Sequence, residues 1–141
     1  MLVSEILRIK GTTLYTTTPD APVREAVKVM AQLDIGSLIV MDHGRMAGLV
    51  TFAEVLRALA DRGGTLGDLK ISAIIEREPL TAAPALDVMD LRRAMLERHA
   101  RYVPVMDGRY VFKMANHRMV DAARDILARN GLGLDAVKLV L

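Results

Sequence analysis

Residues 34–56 read DIGSLIVMDHGRMAGLVTFAEVL (Asp34–Leu56), and this stretch decides the fold. Ser37 to Met41 is a nearly unbroken apolar run, the composition of a buried strand. Asp42-His43-Gly44-Arg45 is a turn, and Met46 to Val50 returns as its hairpin partner. Thr51 opens a helix from Phe52 to Asp61, which Gly63-Gly64 stops. Upstream, Val23, Ala26, Val27, Met30 and Leu33 form one helical stripe over residues 23–33. Pro22 falls in the first turn of that helix, where a missing N–H costs nothing, and Asp20 is its expected N-cap. Tyr15-Thr16-Thr17 is short and β-prone, and Pro19 ends it. The unit reads β-α-β-β-α.

The chain is written twice. Val3-Ser4-Glu5-Ile6-Leu7 returns as Ile71-Ser72-Ala73-Ile74-Ile75, and Thr18-Pro19-Asp20 returns as Ala83-Pro84-Ala85. Val23 to Met30 runs parallel to Val88 to Met95, and Leu38 to Asp42 to Val103 to Asp107. The period is 64 to 68 residues. Two copies form a pair and not a solenoid, which needs three or more units. The expected division is a first repeat over 1–62, a linker over 63–69, a second repeat over 70–129 and a C-terminal tail over 130–141. A unit of about 60 residues buries too little surface to be comfortable alone. The two sheets are therefore expected to pack on each other with pseudo-twofold symmetry, leaving a crevice for a ligand. The tail ends in Lys138-Leu139-Val140-Leu141, apolar enough to need cover from the module or from a second subunit.

Composition narrows the chemistry. The 141 residues are 52% hydrophobic and 26% charged, so the chain should fold. Aromatics are only 4% and Trp is absent, so the core is aliphatic with nine Met as filler. Without cysteine there is no disulfide, thiolate metal site or cysteine nucleophile. Met1 to Glu5 lacks the layout of a signal peptide, and no apolar run approaches the ~20 residues of a membrane span. A cytoplasmic location is expected. His43, His99 and His117 have no helical metal-ligand spacing, so no metal site is expected. No nucleophile–base pair, phosphate-binding glycine loop or carboxylate cluster is visible, which argues against an enzyme.

The repeated succession of strand, turn, Gly-containing strand and Thr-x-x-acid helix start resembles the tandem CBS-domain pair (cystathionine-β-synthase domain, or Bateman module). The likeness covers residues 1 to about 128. It is strongest over Asp34–Leu56 and continues in Arg101-Tyr102-Val103-Pro104-Val105-Met106-Asp107-Gly108-Arg109. It implies a non-catalytic regulatory module, mixed α and β, that binds an adenosyl compound such as AMP, ADP or ATP and requires no cofactor. It further implies modulation of a partner protein and assembly into a homodimer.

Thr51-x-x-Glu54 is the sharpest local signal and has two readings. As a capping box it satisfies two amide donors and needs no ligand. As a binding site it offers a helix N-terminus to phosphate and a carboxylate to ribose hydroxyls. The resemblance places Thr51 at phosphate or ribose and Glu54 at ribose, where the family more often has Asp. Gly36 and Ser37 leave room for a purine beside the strand, or else serve close packing of helix on strand. Thr16 and Thr18 stand where the family often contacts the base.

Aligned on Gly44 and Gly108, the second copy places Phe112 at Gly48, Ala115 at Thr51 and Arg118 at Glu54, with Asn116 as an alternative helix cap. Hydroxyl and acid are both lost, so one family-like site is expected, organised by the first copy. Arg92, Arg93, Arg98, Arg101, Arg109, Lys113 and Arg118 face only Glu97 and Asp107 in their segment. This is a solvated face or a phosphate-binding patch. Arginine's planar fork suits phosphate, so Arg101, Arg109 and Arg118 are candidate ligands. The alternative is an interaction scaffold, for protein or nucleic acid, whose ligand site has decayed; few aromatics remain for base stacking, so RNA ranks low.

Overall fold

The computed structural model describes residues 1–8, 14–108 and 110–130. In chain order the elements are α1 (Val3–Leu7), β1 (Thr16–Thr17), α2 (Val23–Leu33), β2 (Ser37–Asp42), β3 (Arg45–Thr51) and α3 (Phe52–Asp61). A 3-10 turn (Ile71–Ala73) follows, then α4 (Val88–Arg98), β4 (Tyr102–Asp107), β5 (Tyr110–Asn116) and α5 (His117–Asn130). The chain is mixed α and β, with the expected β-α-β-β-α order in the first copy. It divides into two compact units, Tyr15–Pro79 and Met1–Leu14 with Leu80–Leu141.

In the Tyr15–Pro79 unit the sheet order is β1-β2-β3. β1 runs parallel to β2 with Thr16 opposite Ile39, and β2 runs antiparallel to β3 with Ser37 opposite Thr51 and Asp42 opposite Arg45. The turn residues His43 and Gly44 both have positive φ, 49° and 78°. A two-residue hairpin of this hand demands that, and glycine supplies it without strain. The apolar stripe of α2 buries Val23, Ala26 and Met30 against Leu38, Val40, Val50, Val55 and Ile71. Asp20 does not cap α2. Pro22 is the N-cap, at φ −63° and ψ 138°, with no side-chain bond. The fixed proline φ sets the entry, and Asp20 instead lies 4.0 Å from Lys70.

The second unit repeats the hairpin, with Tyr102 opposite Asn116 and Asp107 opposite Tyr110. Its counterpart of β1 is a single parallel bridge, Ala82 to Val105. α4 packs on α5, and the core gathers Leu91, Met95, Val103, Val105, Met119 and Ala123 with Val3, Ile6 and Leu7 of α1.

The compact units do not coincide with divisions at 62 and 70. α1 precedes the first copy in sequence but builds into the second unit, where Val3 N donates to Leu86 O at 2.8 Å and Val88 N to Met1 O at 2.9 Å. The segment from Lys70 makes the same bonds in the first unit: Ile71 N to Ala21 O at 2.9 Å and Val23 N to Leu69 O at 2.8 Å. Residues 63–69 are no free linker, since Arg24 donates to Gly67 O at 3.1 Å and lies 3.6 Å from Asp68.

The hairpins also correct the alignment. Ser37 matches Tyr102 and Thr51 matches Asn116, an offset of 65. Gly48 therefore corresponds to Lys113, and Glu54 to Met119. The match of Gly44 to Gly108 fails because the two glycines occupy different places in their two-residue turns. Gly44 is the second turn residue, and Gly108 is the first.

Candidate functional site

Four of the candidate residues meet at one corner of the Tyr15–Pro79 unit. Thr51 ends β3 and caps α3, with φ −119° and ψ 170°. Its Oγ1 accepts from Ala53 N at 3.1 Å. Glu54 reaches back, and its Oε2 accepts both Thr51 N, at 3.1 Å, and the Thr51 hydroxyl. The capping box of the sequence is thus formed. Beside it, Phe52 N donates to Gly36 O at 3.1 Å, and Ser37 sits opposite Thr51 in the ladder. Ser37 is buried and Gly36 half-buried. Strand β3 runs straight into α3, so the carboxylate, the hydroxyl and the small residues are fixed by one hairpin and one cap.

This geometry limits one expectation. A helix start leaves its first four amides free for an anion. Here Phe52 N and Ala53 N already have partners. The corner offers the second carboxylate oxygen of Glu54, the positive end of the α3 dipole and the space over Gly36 and Ser37.

The other candidates lie elsewhere. Thr16 is on β1, exposed, and opposite Ile39. Parallel register carries Thr18 to the level of Met41, four residues from Ser37, or about 13 Å at ~3.3 Å per residue. Tyr15 stands nearer the corner. It is 38% exposed, and its carbonyl accepts from Ile39 N at 3.2 Å. The only pointer to it in the sequence was the scarcity of aromatic residues.

Arg101 and Arg118 belong to the second unit and are exposed. Arg109 and the tail beyond Asn130 lie outside the described residues. The second-unit corner keeps the frame and changes the chemistry. His117 N donates to Arg101 O at 3.0 Å, as Phe52 N does to Gly36 O. Asn116 Oδ1 accepts from Met119 N at 3.1 Å, making Asn116 the cap. Met119, buried in the core, stands where Glu54 stands in the first copy. Tyr102 and Arg101 replace Ser37 and Gly36. His99 is an exposed C-cap at φ 52°.

Comparison with known proteins finds one family over the first repeat. A CBS-domain family model matches residues 3–61. The mitochondrial CBS domain-containing protein CBSX3 of Arabidopsis thaliana is 27% identical over 124 residues, 81% of this chain. The chain spans 60% of that relative's length. The CBS-domain containing protein ATU1752 of Agrobacterium tumefaciens has the same fold, with a TM-score of 0.83 at 23% identity over 87% of this chain and 92% of the other. The CBS domain pair of protein MJ0100, solved with 5'-methylthioadenosine and S-adenosyl-L-methionine, has a TM-score of 0.76 at 24% identity over 88% of this chain and 99% of the other. The family model thus matches the first repeat, residues 3–61, and the fold of the chain is that of the solved CBS-domain proteins.

Proposed function

We propose that the chain is a non-catalytic sensor that binds one adenosyl ligand, of the AMP, ADP or ATP kind, at the Thr51–Glu54 corner and transmits occupancy to a partner protein. The carrying observation is the Thr51–Glu54 capping box set beside Gly36 and Ser37. Two of its bonds fall on Glu54 Oε2, so Oε1 is the oxygen offered to ribose hydroxyls. The adenosyl complex of the MJ0100 pair supports the ligand class. In this reading Ser37 and Gly36 face the purine. The proposal extends to a homodimer in the cytoplasm. Among the described residues no helix is long and apolar enough to cross a membrane.

Ligand that binds only the folded state raises its melting temperature by mass action. Millimolar AMP, ADP or ATP is expected to shift Tm by several degrees, as ~2.7 kcal/mol at a hundredfold excess over Kd implies. Glu54→Gln should lose most of that shift relative to its own ligand-free Tm, and 2',3'-dideoxy analogues should behave likewise on the unchanged chain. No shift with any adenosyl compound, S-adenosylmethionine included, would overturn the reading.

A second reading, a scaffold with a decayed site, draws on Met119 in place of the acid and on exposed Arg101 and Arg118. Titration with single-stranded RNA at two salt concentrations separates it, because binding through phosphates falls steeply with salt.

A further inference from the structure

The two leading segments of the repeats share the bonds at their N-terminal ends and are fastened differently at their C-terminal ends. In the first unit the chain after the 3-10 turn crosses β3 at Gly48. Leu49 N donates to Glu76 O and Glu76 N to Leu49 O, both at 2.9 Å. Glycine permits this, for a Cβ at 48 would stand 2.2 Å from Glu76 O. In the second unit the matching leading segment is α1, whose Leu7 corresponds to Ile75. The residue matching Gly48 is Lys113, whose Cβ bars so close a crossing. Lys113 reaches out instead, and its Nζ donates to Leu7 O at 3.1 Å, at the C-terminal end of α1. A main-chain stitch of two bonds in one unit is thus matched by an ammonium on one helix-terminal carbonyl in the other.

We infer that Lys113 is a charge-dependent latch and the C-terminal end of α1 a releasable strap, closed over the second unit's core while the ammonium holds Leu7 O. A five-residue helix does not persist alone. Its Val3, Ile6 and Leu7 are buried in the cluster that includes Leu91, Met119 and Ala123. Main-chain bonds to Leu86, Pro84 and Val88 hold its N-terminal end, and the charged bond holds its C-terminal end, where the cost of ordering the last turn offsets much of what burial supplies. A cation at a helix C-terminus is favourable both as donor and against the dipole. Opening would bare the apolar surface of α5 and β5 on which α1 rests.

The test is hydrogen exchange on the full chain, comparing the unchanged protein with Lys113→Met and Lys113→Arg. Lys113→Met should speed exchange in the peptide spanning residues 1–8 about tenfold, the loss of one charged hydrogen bond. Lys113→Arg, which keeps the charge, should restore most of the protection, and peptides within 38–50 should not change. Unchanged exchange at 1–8 in Lys113→Met overturns the latch. So does equal acceleration in both units, which would make Lys113 a general stability residue, or an arginine variant as fast as the methionine one.

Discussion

A Cβ on Gly48 would meet not only the Glu76 carbonyl but Ile75 Cγ1, 2.8 Å away. Gly48→Ala should therefore destabilise the chain by about 1–3 kcal/mol, the usual cost of overpacking, read as a lower denaturant midpoint at unchanged slope. Asp87 is a second residue with a local job. Its carboxylate accepts from Met89 N at 2.8 Å and caps α4. That amide holds the Asp87 carboxyl below the usual carboxylate range, while burial pushes weakly the other way. The cap is therefore fully present above the unfolded-state range and fades as pH falls through the lower folded one. Asp87→Ala should cost about 1 kcal/mol at neutral pH, and much less well below pH ~4. Denaturant titration at the two pH values measures the difference. Thr51 and Glu54 were legible in the sequence because a capping box is made by neighbours three residues apart. Lys113 was not, because its partner Leu7 is 106 residues away.

The helices Val23–Leu33 and Phe52–Asp61 were legible to the residue, since an amphipathic stripe and its stop signals are local. Hairpin and helix order followed for the same reason. What failed was registration. Thr18 is carried to the Met41 level by parallel pairing, which no local pattern encodes. A one-residue slip entered at the turns, where glycine serves either position, and it set Ala115 at the place of Thr51, with Asn116, the cap found in the structure, only as the alternative. The capping elements are open to test: Thr51→Ala should cost about 1 kcal/mol, whereas Thr51→Asn, the residue used by the second copy, should cost far less. Equal losses in thermal or denaturant unfolding would mean that the Thr51 hydroxyl does more than cap.

At the scale of the molecule, the two corners share a frame and differ in chemistry. Met119 cannot hold a ribose, so calorimetric titration should give one adenosyl ligand per chain; two equal sites would contradict the assignment to Glu54. The duplication was readable, but the owner of each leading segment was not. Val3–Leu7 and Ile71–Ile75 share a pattern, and either would suit either core. Backbone bonds to Leu86 and Ala21 settle the matter, and those are long-range.

Interleaving has a consequence for anyone cutting the gene. A fragment ending at residue 62 would carry a helix that belongs to the other half and lack Ile71, which has no exposed surface in the core it completes. The excisable piece is Tyr15–Pro79, continuous in sequence. Its sibling is split, and would need Leu80 onward spliced ahead of Met1–Leu14 to become one uninterrupted polypeptide. Circular dichroism should find Tyr15–Pro79 more ordered and more cooperative on heating than the fragment that ends at residue 62, a scissors test of who owns which helix.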